Sequence, residues 1–212
     1  NNGELGPGSA QWMKAASGVI HSEMPKQQFG LMRGFQLWIN LPAVNKMDRP
    51  EYMEYTEEMF PVVKFPNYTV KVLVGHFDGI DAPIIDSVTE VTYLDVQLQP
   101  KKDFRYDLPK GNSNFIYVFE GYGTLAGQAV SHHSLAIPGL SDNGSITFLA
   151  GNRGARFIVV SGKPIHEPIV RYGPFVMSTK EQIDQAMKDF QSNQFIRERA
   201  WVKQNHSMIK TL

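Results

Sequence analysis

The chain contains no cysteine, no excess of charge of either sign and no long apolar run. Without cysteine it cannot form a disulfide, a thiolate zinc site or a cysteine nucleophile. Lys+Arg and Asp+Glu both total 21 residues, and this balance argues against direct nucleic-acid binding, which normally needs a basic patch. No run approaches the roughly 18 apolar residues of a membrane helix, so we expect no membrane association.

The 212 residues instead contain 18 glycines and 13 prolines that separate short runs rich in Val, Ile, Phe, Tyr and Thr. Many short strands joined by tight turns are typical of an all-β sandwich or barrel. The predicted strands include 34–41, 69–74, 90–98, 114–120 and 155–161.

One helix is predicted near the C-terminus. Ser178 and Glu181 fit the Ser-x-x-Glu capping box that begins a helix. The apolar residues that follow recur at helical spacing on one face: Ile183, Ala186, Met187 and Phe190. A second, shorter helix is predicted around 50–59, where Glu, Tyr and Met dominate.

His21-Ser22-Glu23 is the strongest candidate for chemistry. In an extended strand, positions i and i+2 face the same side, so His21 and Glu23 would both point into a barrel. An imidazole beside a carboxylate suits a divalent first-row transition metal. The spacing also occurs by chance, and two ligands do not complete a mononuclear site.

The other histidines are weaker candidates. Adjacent strand residues face opposite sides, so His132 and His133 are interpreted as one surface and one hydrogen-bonded side chain near a turn. His76 is expected to be exposed in a loop, His166 to lie in a strand-end connection and His206 in the polar tail.

Several longer motifs resemble those of the pirin family. They are GPGSAQWM at 6–13, SGVIHSEMP at 17–25, GFQLWINL at 34–41, RFIVVSGKPI at 156–165 and YGPFVMST at 172–179. The resemblance extends over essentially the whole chain and is most specific near the C-terminus.

The resemblance implies a bicupin, an all-β protein of two double-stranded β-helix barrels followed by C-terminal helices. Residues 1–64 would be the remainder of an N-terminal, metal-binding barrel, 65–170 a metal-free C-terminal barrel and 171–212 a helical tail. The family holds one metal, commonly iron, with a His-x-His and a later His-x-Glu motif. His21 and Glu23 match the second motif.

The family's His-x-His motif would lie upstream of Asn1, and this chain contains no counterpart. We therefore expect the first barrel to be incomplete here and the natural protein to include an upstream segment; a truncated form is the alternative. The complete protein would hold one metal, and these 212 residues would hold it weakly or not at all.

The resemblance implies two functions of different classes. One is a quercetin 2,3-dioxygenase-type oxidoreductase acting on a flavonol and dioxygen, in which Glu23 would also be the catalytic base. The other is an iron-dependent, redox-sensing co-regulator that binds transcription factors. A truncated, metal-free form without activity is the third reading. A cytoplasmic protein is expected, with nuclear entry left open for a eukaryotic source.

Overall fold

The computed structural model describes residues 3–27, 29–138 and 144–203, with the backbone alone for 201–203. The chain forms two compact units. Unit 1 comprises Asn1–Ala10 and Tyr55–Pro164, and unit 2 comprises Gln11–Glu54 and Ile165–Leu212. In sequence, nearly all of unit 1 is therefore inserted between the two segments of unit 2. The division into domains at 1–64, 65–170 and 171–212 remains a prediction.

The described residues form fifteen strands, one α-helix and two short 3-10 helices, so the all-β class is confirmed. The strands are β1 Ala10–Lys14, β2 Glu51–Tyr55, β3 Val62–Lys64, β4 Tyr68–Val74, β5 His76–Phe77, β6 Ile80–Asp81, β7 Thr92–Leu98, β8 Asp103–Asp107, β9 Ser113–Leu125, β10 Gln128–Val130, β11 Ser134–Ala136, β12 Ser145–Gly162, β13 Val170–Tyr172, β14 Phe175–Met177 and β15 Trp201–Lys203. The helix α1 is Lys180–Gln191, and the 3-10 helices are Ala43–Asn45 and Glu57–Met59.

Unit 1 is built on an eight-stranded antiparallel sheet. Its main path runs β10-β9-β12-β7-β4-β3, with β11 paired to β9 and β8 paired to β12. Strands β5 and β6 pair with each other and form no ladder with this sheet. Three further strands, β1, β2 and β15, form a sheet in which β15 runs parallel to β2, and β13 pairs with β14.

Alternating apolar residues explain the core of unit 1. In β4, Val70, Val72 and Val74 are buried, whereas the residues between them are only partly buried. Phe104, Phe148 and Phe157 are fully buried in the same cluster. Burial of large aromatic and branched side chains supplies the main driving force for folding. The predicted strands at 69–74, 114–120 and 155–161 are confirmed as parts of β4, β9 and β12. The predicted strand at 90–98 is confirmed as β7, which begins two residues later, at Thr92.

Two of the elements predicted between residues 34 and 59 are wrong. Residues 34–41 form no strand, and no described strand pairs with them, so their backbone has no ladder to join. Residues 50–59 are not a helix but strand β2 followed by the 3-10 helix Glu57–Met59. In β2, pairing with β1 and β15 outweighs the helix propensity of Glu and Met, which is only a weak local preference.

The predicted C-terminal helix is confirmed, but its N-cap is one residue later than expected. Thr179, not Ser178, accepts the backbone N–H of Gln182, and the Gln182 side chain accepts the backbone N–H of Thr179. Ile183 anchors the helix at 5% exposure. The segment 171–212 also contains strand residues, in β13, β14 and β15. Within the ranges that the structure describes, no helix is both long and apolar enough to cross a lipid bilayer.

Candidate metal centre

His21 and Glu23 lie in a segment without regular secondary structure. After β1 ends at Lys14, the chain turns, with the Gly18 N–H donating to the Ala15 carbonyl oxygen at 2.8 Å. The expectation that His21-Ser22-Glu23 forms a strand is therefore wrong. As for residues 34–41, no described strand pairs with residues 21–23, so their backbone N–H and C=O groups have no strand partner.

The two side chains nevertheless face each other. The distance from His21 Nε2 to Glu23 Oε1 is 3.8 Å. The side chains are 47% and 57% exposed, so an ion could reach them directly from solvent. The second carboxylate oxygen of Glu23 lies 3.4 Å from Gln36 Nε2, which donates a weak hydrogen bond to it. The imidazole nitrogen of His21 therefore lies close to one carboxylate oxygen of Glu23, while the other oxygen accepts a hydrogen bond from the Gln36 side-chain amide.

These donors fit a transition metal in kind but not in number. Imidazole and carboxylate are the ligands that iron, manganese, nickel and cobalt accept together. Among the described residues, no three His, Asp or Glu side chains come close enough together to hold an ion. The pair is thus at most half of a four-ligand set, and its role as a metal site stays a prediction.

Tyr52 is a polar group near this pair that the sequence analysis missed. Its hydroxyl accepts a hydrogen bond from Gln11 of β1 and donates one to Glu54 at 2.5 Å. Burial, then the hydrogen bond to Glu54 and the charges of Glu54 and Glu23, raise the pKa of Tyr52. Tyr52 and Glu54 share one face of β2, because residues two apart in a strand point to the same side. This i, i+2 spacing would predict their proximity if 50–59 were taken as a strand.

The adjacent histidines lie near a turn, as predicted, but their rings stack on each other instead of facing opposite sides of a strand. His132 Nε2 is hydrogen-bonded to the Phe119 carbonyl oxygen at 2.8 Å, and the His132 and His133 rings stack with centroids 3.6 Å apart. His133 has a φ of 60°, which places it in a turn. Both side chains are exposed, as expected for a turn at the surface.

The remaining histidines lie away from His21 in sequence and form separate contacts. His76 is exposed as predicted, but it begins strand β5 and contacts Asp81 at 2.5 Å. Beside His166, Glu167 accepts the Ala43 backbone N–H at 2.6 Å, within the predicted connection between strands. His206 lies outside the described residues.

Comparison with known proteins gives matches over both ends of the chain. The family model described as "Pirin C-terminal cupin domain" matches residues 93–196, and the model "Pirin" matches residues 1–39. A Pseudomonas aeruginosa protein named "Putative quercetin 2,3-dioxygenase" is 44% identical over 90% of this chain and 68% of its own length. The protein named "Pirin" of Homo sapiens is 35% identical over 95% of this chain and 70% of its own length.

The fold has a clear counterpart among solved structures. The crystal structure titled quercetin 2,3-dioxygenase from Acinetobacter baumannii superposes with a TM-score of 0.76 and covers 90% of this chain and 68% of that one. At 24% identity this likeness concerns the fold alone. With the cupin-domain match, it confirms the cupin-type architecture expected from the sequence.

Proposed function

We propose that this chain, which belongs to the pirin family, contributes His21 and Glu23 to a mononuclear metal centre that carries out flavonol dioxygenation. The observation that carries the proposal is the 3.8 Å approach of His21 Nε2 to Glu23 Oε1 in an open, solvent-accessible segment. The name of the Pseudomonas aeruginosa relative supports the choice of quercetin-like flavonols as the substrate class.

Each residue of the pair has a distinct task. The neutral imidazole of His21 would bind the metal through a ring nitrogen, and Glu23 would bind it through a carboxylate oxygen. When bound, a divalent iron, or a related metal, supplies a Lewis acid and a template for the flavonol and dioxygen. Gln36 donates a weak hydrogen bond of 3.4 Å to the second oxygen of Glu23.

In this proposal Glu23 would also remove a proton from the substrate. A carboxylate positioned within hydrogen-bond reach of a flavonol hydroxyl can act as a general base. The proton moves from the flavonol oxygen to a Glu23 oxygen, and the flavonol becomes an anion. Glu23 would therefore be both ligand and catalytic base, whereas His21 would be a ligand only.

The pair alone would hold a metal weakly. A mononuclear redox centre needs three or four protein ligands, and the described residues bring together two. Tight binding therefore requires further donors. This requirement makes metal stoichiometry the first quantity to measure.

The test measures iron binding by titration with elemental analysis, and oxygen uptake with iron in excess so that a weakly held metal is also bound. His21→Ala and Glu23→Gln are compared with His133→Ala, which removes an exposed histidine from unit 1. We expect the first two changes to weaken metal retention by at least about tenfold and to abolish quercetin-dependent oxygen uptake. His133→Ala should change neither quantity.

The outcomes separate the two parts of the proposal. Unchanged metal retention in both His21→Ala and Glu23→Gln would overturn the metal assignment. Clean metal loading without oxygen uptake would overturn the dioxygenase assignment and favour the redox-sensing co-regulator instead. Stoichiometric, tightly held metal in the 212-residue chain would contradict the inference that the pair needs further donors.

A further inference from the structure

Unit 1 contains a cavity of about 360 Å³ that is open to solvent and whose lining includes neither His21 nor Glu23. Its lining combines four aromatic rings with three charged side chains: Phe65, Tyr68, Phe77, Asp78, Arg105, Tyr106 and Asp107. The volume lies within the range of small-molecule pockets, which are mostly apolar with a few placed polar groups. The cavity is therefore large enough for a small organic ligand.

The four aromatic rings of the lining pack against one another, and we refer to them together as the aromatic wall. The Phe65 ring centroid lies 4.7 Å from that of Tyr68 and 6.3 Å from that of Phe77, with the Phe65 and Phe77 planes at 88°. The Tyr106 ring centroid lies 5.7 Å from that of Phe77. Phe77 belongs to the buried core, and the other three rings pack against that core. Rings fixed in this way line the cavity without needing to reorder.

The charged groups leave the lining with one excess negative charge. Arg105 and Asp107 approach each other at 3.8 Å and offset each other's charge. Asp78, in the turn between β5 and β6, is the additional carboxylate. Burial first, and then the charges of Asp78 and Asp103, raise the pKa of Tyr68. The negative potential thus reaches the Tyr68 hydroxyl on the aromatic wall.

From this combination we infer that the cavity binds a small organic cation, such as a methylated ammonium compound. The faces of aromatic rings carry negative charge density and attract quaternary ammonium groups. The carboxylate of Asp78 adds a favourable charge, whereas an anionic ligand would be repelled by it. A neutral ligand would gain from the apolar walls but not from Asp78.

Two nearly isosteric probes test the charge requirement. Choline carries a quaternary ammonium, and 3,3-dimethylbutan-1-ol replaces its nitrogen with carbon. We expect saturation-transfer NMR on the whole chain to show choline binding about tenfold more tightly than the alcohol. Choline binding should also weaken as salt is added, since exposed charges are screened.

Asp78→Asn tests the residue. Asp78 has a φ of 49°, and asparagine tolerates this left-handed conformation, so the turn should be kept. The change should weaken choline binding about fivefold, as expected for an exposed charge pair. Asp184→Asn, at an exposed position of α1, is the matched control and should leave binding unchanged.

Tyr68→Leu tests the aromatic wall and should also weaken choline binding, provided that the thermal unfolding transition is retained. Equal binding of the two probes would overturn the inference, as would undiminished choline binding in Asp78→Asn. We expect a dissociation constant for choline of about 1 mM. Absence of saturation transfer at about 10 mM choline would therefore overturn the inference too. All of these results are independent of the metal centre, because the probes and variants leave His21 and Glu23 untouched.

Discussion

Arg156 binds Asp95 through two parallel contacts, from Nε to Oδ1 at 3.0 Å and from Nη2 to Oδ2 at 2.6 Å. Asp95 pairs with Ile158 across the ladder, so Arg156 reaches it diagonally on the same face of the sheet. The guanidinium also lies 5.3 Å from the Phe119 ring centroid. One side chain therefore joins β9, β12 and β7, three adjacent strands of the main sheet of unit 1.

Removing this ion pair should destabilise the protein. Asp95→Ala leaves a partly buried guanidinium without its bidentate acceptor, and hydrogen bonds to charged groups contribute about 1.5–3 kcal/mol. We expect the free energy of unfolding in urea to fall by about that amount. Asp107→Ala, which breaks the exposed pair with Arg105, should cost less than about 1 kcal/mol. Equal losses in the two variants would contradict the special role of Arg156.

The helix cap offers a test that distinguishes neighbouring residues. Thr179→Ala removes the acceptor for the Gln182 N–H and should lower the free energy of unfolding by about 1 kcal/mol. Ser178→Ala is the control, because the buried Ser178 hydroxyl has no hydrogen-bond partner among the described residues. That change should be neutral or slightly stabilising. A larger loss for Ser178→Ala than for Thr179→Ala would place the cap at Ser178 after all.

Gly121 is required by a close approach between β9 and β12. Its φ is +69°, and a Cβ there would lie 2.1 Å from the Gly154 carbonyl oxygen. Gly121→Ala should therefore lower the melting temperature severely, at a cost of at least about 3 kcal/mol. Gly127→Ala tests the conformational part alone, since its φ is +78° with nothing within 4 Å of the added Cβ. It should cost about 1–2 kcal/mol, and similar losses in both variants would rule out the steric explanation.

Tyr93 should make stability fall at high pH. Burial, with a smaller contribution from the charge of Asp95, raises its pKa to about 12. Between about pH 10 and 12, the unfolded chain loses the phenolic proton while the folded chain keeps it. The contribution of Tyr93 to the free energy of unfolding is complete below about pH 10 and falls by about 1.4 kcal/mol for each pH unit in this interval.

Urea unfolding of the wild type and of Tyr93→Phe across this interval would measure the effect. The phenylalanine variant should show a shallower decline with pH than the wild type. Tyr172→Phe, which alters an exposed tyrosine, should keep the wild-type slope. Parallel curves for the wild type and Tyr93→Phe would show that Tyr93 titrates alike in the folded and unfolded states.

The sequence was sufficient where the structure depends on local alternation. Val70, Val72 and Val74 recur every second residue and all face the core of unit 1, so β4 could be predicted directly. The helix was predictable for the same kind of reason, but Ser178-x-x-Glu181 and Thr179-x-x-Gln182 both satisfy the capping pattern. Only backbone geometry decides between them, because the cap must leave the helical conformation at one definite residue.

Pairing between residues distant in sequence could not be predicted in this way. The segment 50–59 has a helix-like composition, and it is a strand because β1 and β15 lie beside it. The approach of His21 to Glu23 was expected from strand alternation, yet it occurs in an irregular segment. The aromatic cavity had no sequence signal at all, since its rings come from separated segments of β4, β5, β8 and the connection before β4.

The parallel pairing of β2 with β15 has a consequence for the order of events during synthesis. Glu51 is in register with Trp201, so nearly all of unit 1 is translated between the two partners. On the ribosome, unit 1 can assemble its own sheet while β2 still has one vacant edge. Such an edge is prone to pair with other nascent chains, and a chaperone that shields it until residue 203 emerges would favour correct folding.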